Sequence, residues 1–158
     1  MPSFSVVTPT RRNSQYNGFS LTEGDNWVGS VVSAIEHGPD WSSTAIFLTW
    51  DDCGCFYDPV SPPNGWGIRV PMIIVSPYAK SRYTDSTPTT YAGILAFVEH
   101  TFGLPALSEA DATAYDFSNS FDYRQEPIPP VRMTTTAVPA SSLRYLRTHA
   151  PSFGDDPT

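Results

Sequence analysis

Apolar residues recur at different periods along this chain, and those periods divide it into elements. From Glu23 onward, Trp27, Val28, Val31, Val32 and Ile35 fall on one face of a helix. With Asp25 as N-cap and Gly38-Pro39 as a stop, the spacing predicts a helix over about 25–37 whose apolar face meets a sheet. Thr44–Trp50 is a nearly continuous apolar run, too short for a helix and rich in residues that suit a strand buried on both faces. A second such run, Val70–Ser76, follows a Pro- and Gly-rich loop from Ser61 to Gly67. Runs of this kind predict a parallel sheet. Phe4–Thr8 reads as a short strand closed by Pro9, and Tyr91–Phe102 as an amphipathic helix ended by Gly103 and Pro105. The predicted order is strand, helix, strand, strand, helix. Beyond Gln125 the chain holds six prolines and little periodicity, which predicts an extended wrap or tail.

Composition narrows the function classes. A chain of 158 residues with 40% hydrophobic and 16% charged residues is long enough for one domain with a core, and too apolar for a disordered polymer. Nine basic residues, eight of them arginine, face sixteen acidic ones for a net charge of −7, and the basic ones form no stripe. That excludes nucleic-acid binding through bulk electrostatics. No run approaches the roughly 20 apolar residues of a membrane span, and Met1-Pro-Ser-Phe4 does not open an export signal. Cys53 and Cys55 stand too close for an unstrained bridge and, without a second Cys/His pair, are read as packing or turn residues rather than zinc ligands.

Candidate chemistry gathers at the end of the run 44–50. In open α/β sheets ligands bind beyond the carboxyl ends of strands, and there the chain reads Trp50-Asp-Asp-Cys-Gly-Cys-Phe-Tyr-Asp58. Asp51 and Asp52 either turn together toward a hard cation, which offsets their repulsion, or cap a turn before Gly54.

The residues themselves resemble a known family. Thr49-Trp-Asp-Asp-Cys-Gly-Cys-Phe-Tyr-Asp58, preceded by Ala34-Ile-Glu-His-Gly-Pro-Asp-Trp41 and Ser43-Thr-Ala-Ile46, resembles the central signature of the phosphoesterase family that contains bacterial phospholipase C and acid phosphatases. In order with it come Asn13-Ser-Gln-Tyr-Asn-Gly18, Gly24-Asp-Asn-Trp27, Arg69–Lys80, Tyr83-Thr-Asp-Ser86, Ile94–Leu107 with Glu99-His-Thr-Phe-Gly-Leu-Pro105, and Phe121-Asp-Tyr123. The resemblance covers about residues 3–126.

It implies an α/β fold, part of an alkaline-phosphatase-like three-layer α/β/α sandwich with a mostly parallel sheet. Residues 1–126 would be the C-terminal part of that phosphoesterase domain, and 127–158 a Pro-rich extended tail. It further implies a metal-dependent hydrolase acting on a phosphate ester or phospholipid, with Asp51 and Asp52 as ligands of a divalent metal ion of unassigned identity. The family's nucleophile and its other ligands, an acidic residue followed by Asn, belong to a more N-terminal portion, so no catalytic residue is assigned in this chain. Family members are commonly exported; no signal is read here and no compartment is assigned.

Two positions depart from the family pattern. Tyr16 and Pro59 stand where the family usually has His, removing two groups able to bind phosphate or move protons. His37 at a helix end, His100 on the second helix and His149 in the tail are expected on the surface or in packing, and Ser76-Pro77 is expected as a turn rather than a nucleophile. Two alternatives to an active hydrolase follow: a noncatalytic remnant that binds a cation or partner through Asp51 and Asp52, and a structural half that needs a separate N-terminal polypeptide. Strands lacking neighbours predict an exposed sheet edge and self-association through it.

Overall fold

A computed structural model describes residues 2–52, 58–63 and 65–149. Two compact units make up the chain, Ser42–Pro129 and Met1–Trp41 with Pro130–Thr158. Helix and strand are mixed: α1 (Leu21–Glu36), β1 (Ile46–Thr49), β2 (Met72–Val75), α2 (Ala92–Phe102), a short α3 (Glu109–Ala112) and α4 (Ala140–Thr148). No helix among the described residues is long and apolar enough to cross a membrane.

In the unit Ser42–Pro129, β1 and β2 pair in the register Ile46↔Val75, Phe47↔Ile74, Leu48↔Ile73 and Thr49↔Met72. The pairing is antiparallel, which corrects the parallel arrangement expected for these two runs. An apolar run reports burial, not the direction of its neighbour. Direction follows from the connection, and no helix is found among the described residues between Trp50 and Pro71. Such a link returns the chain as a long hairpin, whereas parallel strands need a crossover to the same end. Nor are both faces covered: every residue of β1 is only partly buried, and Ile73 on β2 is 49% exposed.

Aromatic packing holds this sheet to α2. The Phe47 ring meets Phe97 of α2 edge-on with centroids 4.8 Å apart, and lies 5.4 Å from Phe117 and 6.3 Å from Phe121. Phe97 and Phe121 stack at 5.3 Å. Residues 115–121 reach α2 because Gly93 has no side chain: a Cβ there would collide with the Tyr115 carbonyl oxygen and lie 3.0 Å from the Phe117 ring. Gly103 ends α2 as the sequence predicts, in the left-handed region at φ 65°, where glycine carries no Cβ penalty. The segment 120–128 then runs beside 77–80, with Lys80 N–H donating to Ser120 O at 2.9 Å and Asp122 N–H to Tyr78 O at 2.9 Å.

In the other unit α1 starts at Leu21, earlier than expected. Ser20 rather than Asp25 is its N-cap, and the Ser20 hydroxyl accepts from Glu23 N–H at 3.2 Å. That Ser-x-x-Glu spacing satisfies an orphan donor of the first turn. Glu23 also binds Arg12 at 2.6 Å, joining the preceding loop to the helix. Phe4–Thr8 forms no strand; Val6 is 78% exposed, and no strand of this unit is described that would pair with it. Residues 131–136 are fastened to α1 by Val131 N–H donating to buried Glu36 at 3.0 Å and by a reciprocal Asn26–Thr136 pair at 2.8 and 2.9 Å. Helix α4 lies in the stretch read from sequence as extended, beginning directly after Pro139, a residue that suits a helix start.

Substituting Gly93→Ala should destabilise the protein by about 1–3 kcal/mol, the usual range for overpacking against backbone. Urea unfolding measures it, and an unchanged unfolding free energy would contradict the close approach of residues 115–117 to α2.

Candidate functional site

The end of β1 is tied down on two sides. Thr49 donates its hydroxyl to the Pro71 carbonyl at 2.8 Å, joining the strand end to the segment that leads into β2. One residue on, the Trp50 carbonyl accepts from the phenol of Tyr91, the N-cap residue of α2. Asp51 and Asp52 follow at once, the first exposed and the second half-buried.

Both carboxylates act on Tyr91. Its phenol is raised above the ordinary tyrosine value chiefly by burial, and further by the charges of Asp51 and Asp52. The hydroxyl therefore remains a donor to Trp50 to higher pH than an ordinary phenol would. Tyr91 is a site residue that the sequence does not reveal. It lies 41 residues from Trp50, and as the first residue of an amphipathic stretch it reads as packing.

Cys53–Tyr57 of the signature lie outside the described residues. The chain is described again at Asp58, which accepts from Arg69 through two bonds of 2.7 and 2.8 Å and from Val60 N–H at 3.0 Å. These bonds, led by Arg69, push the Asp58 carboxyl down to about 2. The far end of the loop is thereby fixed as well. Pro59, the second departure from the family pattern, is exposed beside it.

Two adjacent carboxylates at a pinned strand end are hard oxygen donors, suited to a calcium-, magnesium- or manganese-like cation. Among the described residues no group of three or more His, Cys, Asp or Glu is arranged to hold a metal ion. The donor set thus fits part of a cation site. Tyr16, where the family usually has His, lies with its ring under the Arg11 guanidinium at 4.8 Å, and its buried hydroxyl finds no partner among the described residues. His37 is the exposed C-cap of α1, and His149 caps α4 and stacks on Tyr145 at 4.2 Å. His100 is exposed and bound to Asp116 at 2.8 Å. Ser76 is buried in a turn, its hydroxyl accepting from Tyr78 N–H at 3.3 Å.

Comparison with known proteins agrees with the resemblance. The sequence profile described as the phosphoesterase family matches residues 1–105. A non-hemolytic phospholipase C of Burkholderia pseudomallei (strain K96243) is 27% identical over 133 residues, covering 65% of this chain and 19% of that protein. A non-hemolytic phospholipase C of Pseudomonas aeruginosa is 23% identical, covering 96% of this chain and 28% of that protein. Non-specific phospholipase C6 of Arabidopsis thaliana is 25% identical, covering 87% and 34%. The chain therefore spans about a fifth to a third of the length of these relatives.

Asp51→Asn/Asp52→Asn should move the Tyr91 phenol back toward the ordinary tyrosine value, because removing two negative charges favours the phenolate. A pH titration followed by the Tyr91 Cζ resonance reads this directly, and an unmoved midpoint would contradict the placement of the acid pair beside Tyr91.

Proposed function

The chain belongs to the phosphoesterase family, and from that premise we propose that it supplies the acidic pair of a metal-dependent site that hydrolyses a phosphate ester. One observation carries the reading: Asp51 and Asp52 follow one residue after β1, beyond a strand end fixed by Thr49 and Tyr91, within the residues that match the family. On this reading both carboxylates hold one divalent cation, whose chemistry when bound is to polarise a phosphoryl oxygen. The chain's own residues hold and orient. Thr49 and Tyr91 anchor the strand end, and the Asp58–Arg69 pair anchors the return of the loop, so that the two carboxylates project from a fixed support.

The phospholipase C names of the relatives support a phospholipid as substrate, and the resemblance to acid phosphatases keeps a phosphate monoester beside it. The whole site would lie in an alkaline-phosphatase-like α/β/α sandwich, its nucleophile and remaining metal ligands coming from a more N-terminal portion of that fold.

A second reading, a noncatalytic segment that binds a cation or partner, is favoured by Tyr16 and Pro59 at two His positions of the family and by the want of a third metal ligand among the described residues. It also gives a role to the sheet, two-stranded among the described residues, whose outer edges suit association with another strand.

Calorimetric titration of the chain with manganese, calcium and zinc separates the outcomes. Weak binding, with Kd on the order of 10⁻⁴–10⁻³ M as expected for a sparse oxygen site, should be abolished in Asp51→Asn/Asp52→Asn. Equal binding by both proteins would sink the ligand assignment. Hydrolysis of a chromogenic phosphate ester that disappears in Asp52→Ala favours the catalytic reading; cation binding without turnover by this chain alone is expected on either reading.

A further inference from the structure

Where α2 ends, its last turn faces α3 through two buried acids. Glu99 is 6% exposed and Asp111 2% exposed, and their side chains are within hydrogen-bonding reach of one another. Asp111 is well supplied with donors: Leu107 N–H reaches Oδ2 at 2.6 Å, and the Ser108 hydroxyl reaches Oδ1. Glu99 is less well supplied: Leu107 N–H also favours its ionised form, but more weakly than burial and Asp111 oppose it. Its Oε1 is buried and finds no partner among the described residues, although a buried carboxylate needs donors to remain ionised. The contact across to Asp111 would set two negative charges against each other unless a proton lies between them.

We propose that Glu99 and Asp111 share one proton and form a pH-sensitive fastener between α2 and α3, in which the protonated Glu99 carboxyl donates to Asp111 and secures the Gly103–Ser108 turn. When the proton leaves to water, two buried carboxylates remain and the fastener loosens. The other groups around it do not replace the proton. Glu109 on α3 is exposed, residues 103–107 carry no ionisable side chain, and Phe47, Phe117 and Phe121, which cluster with α2 at Phe97, are apolar. His100, on the same helix as Glu99, is held by Asp116 at 2.8 Å; when protonated it acts against protonation of Glu99, but more weakly than burial and Asp111 act in favour of it. The proposal is independent of the cation site at Asp51 and Asp52.

The two acids bear on stability in opposite senses. Glu99 is raised above 4.5 by burial first and by Asp111 second, so its contribution is full below that value and is lost as pH rises through the folded-state value. Asp111 is pushed down to about 2, chiefly by the Ser108 hydroxyl, so its contribution is present above 3.8 and is lost as pH falls through about 2. Two measurements test the fastener. In the unaltered full chain, the Glu99 Cδ resonance should titrate with a midpoint above 4.5; a midpoint at or below that value would overturn the proposal. In Glu99→Gln, whose amide donates at every pH, the decline of Tm with rising pH should disappear over the interval in which wild-type Glu99 titrates. An unchanged decline would overturn it equally, and the Cδ titration decides the matter should that variant fail to fold.

Discussion

The contact of Phe47 with the aromatic side chains of α2 and residues 115–121 is the constraint on which the unit Ser42–Pro129 depends. Among the described residues the sheet has only two strands, too few to be stable alone. Its central side chain meets Phe97, Phe117 and Phe121 within 6.3 Å, and each such pair contributes about 0.5–1.5 kcal/mol beyond the area it buries. The same contact brings the end of β1 beside the start of α2, where Tyr91 binds the Trp50 carbonyl. Without the packing at Phe47 the end of β1 would keep its tie to Pro71 but lose the support that holds α2 and Tyr91 beside it.

Carboxylates dominate the charge of this chain, and the structure treats them in distinct ways. Asp58 is neutralised by Arg69, and Asp116 is bound by His100. Asp85 receives the hydroxyls of Tyr115 at 2.5 Å and Ser120 at 3.1 Å; burial first, and the bond to Asp85 second, raise the Tyr115 phenol to about 12. Each of these ties together two segments distant in sequence. Asp51 and Asp52 differ in being consecutive, at a strand end, beside a phenol already committed to a carbonyl. On the proposed reading, a cation would offset the repulsion between two like charges so placed.

How far the sequence reveals this structure depends on how local each cause is. The bodies of α1 and α2 are legible because their apolar faces repeat at helical spacing, and Gly103 announces the end of α2 because a left-handed cap wants glycine. The start of α1 is misread because Asp25 competes with Ser20, whose spacing to Glu23 is the stronger capping signal. Both strand runs are recognisable from composition, but their antiparallel pairing follows from the link between them, which carries no strand or helix period. Helix α4 escapes because its few apolar positions lie in a proline-rich stretch. At the site, Asp51 and Asp52 stand out as adjacent letters, whereas Tyr91 enters through a contact spanning 41 residues. The burial of Glu99 and Asp111 follows from the approach of α3 to α2, which no local period announces.

Paramagnetic broadening by manganese tests the central claim most directly, because it reports where a cation sits without requiring catalysis. Manganese added at substoichiometric amounts to the ¹⁵N-labelled chain should broaden the amide resonances of Trp50, Asp51, Asp52 and Tyr91 first, and leave those around Asp85 and Asp116 sharp. Broadening that begins at those other carboxylates, or that spreads evenly over the acidic surface, would contradict a cation site at the end of β1.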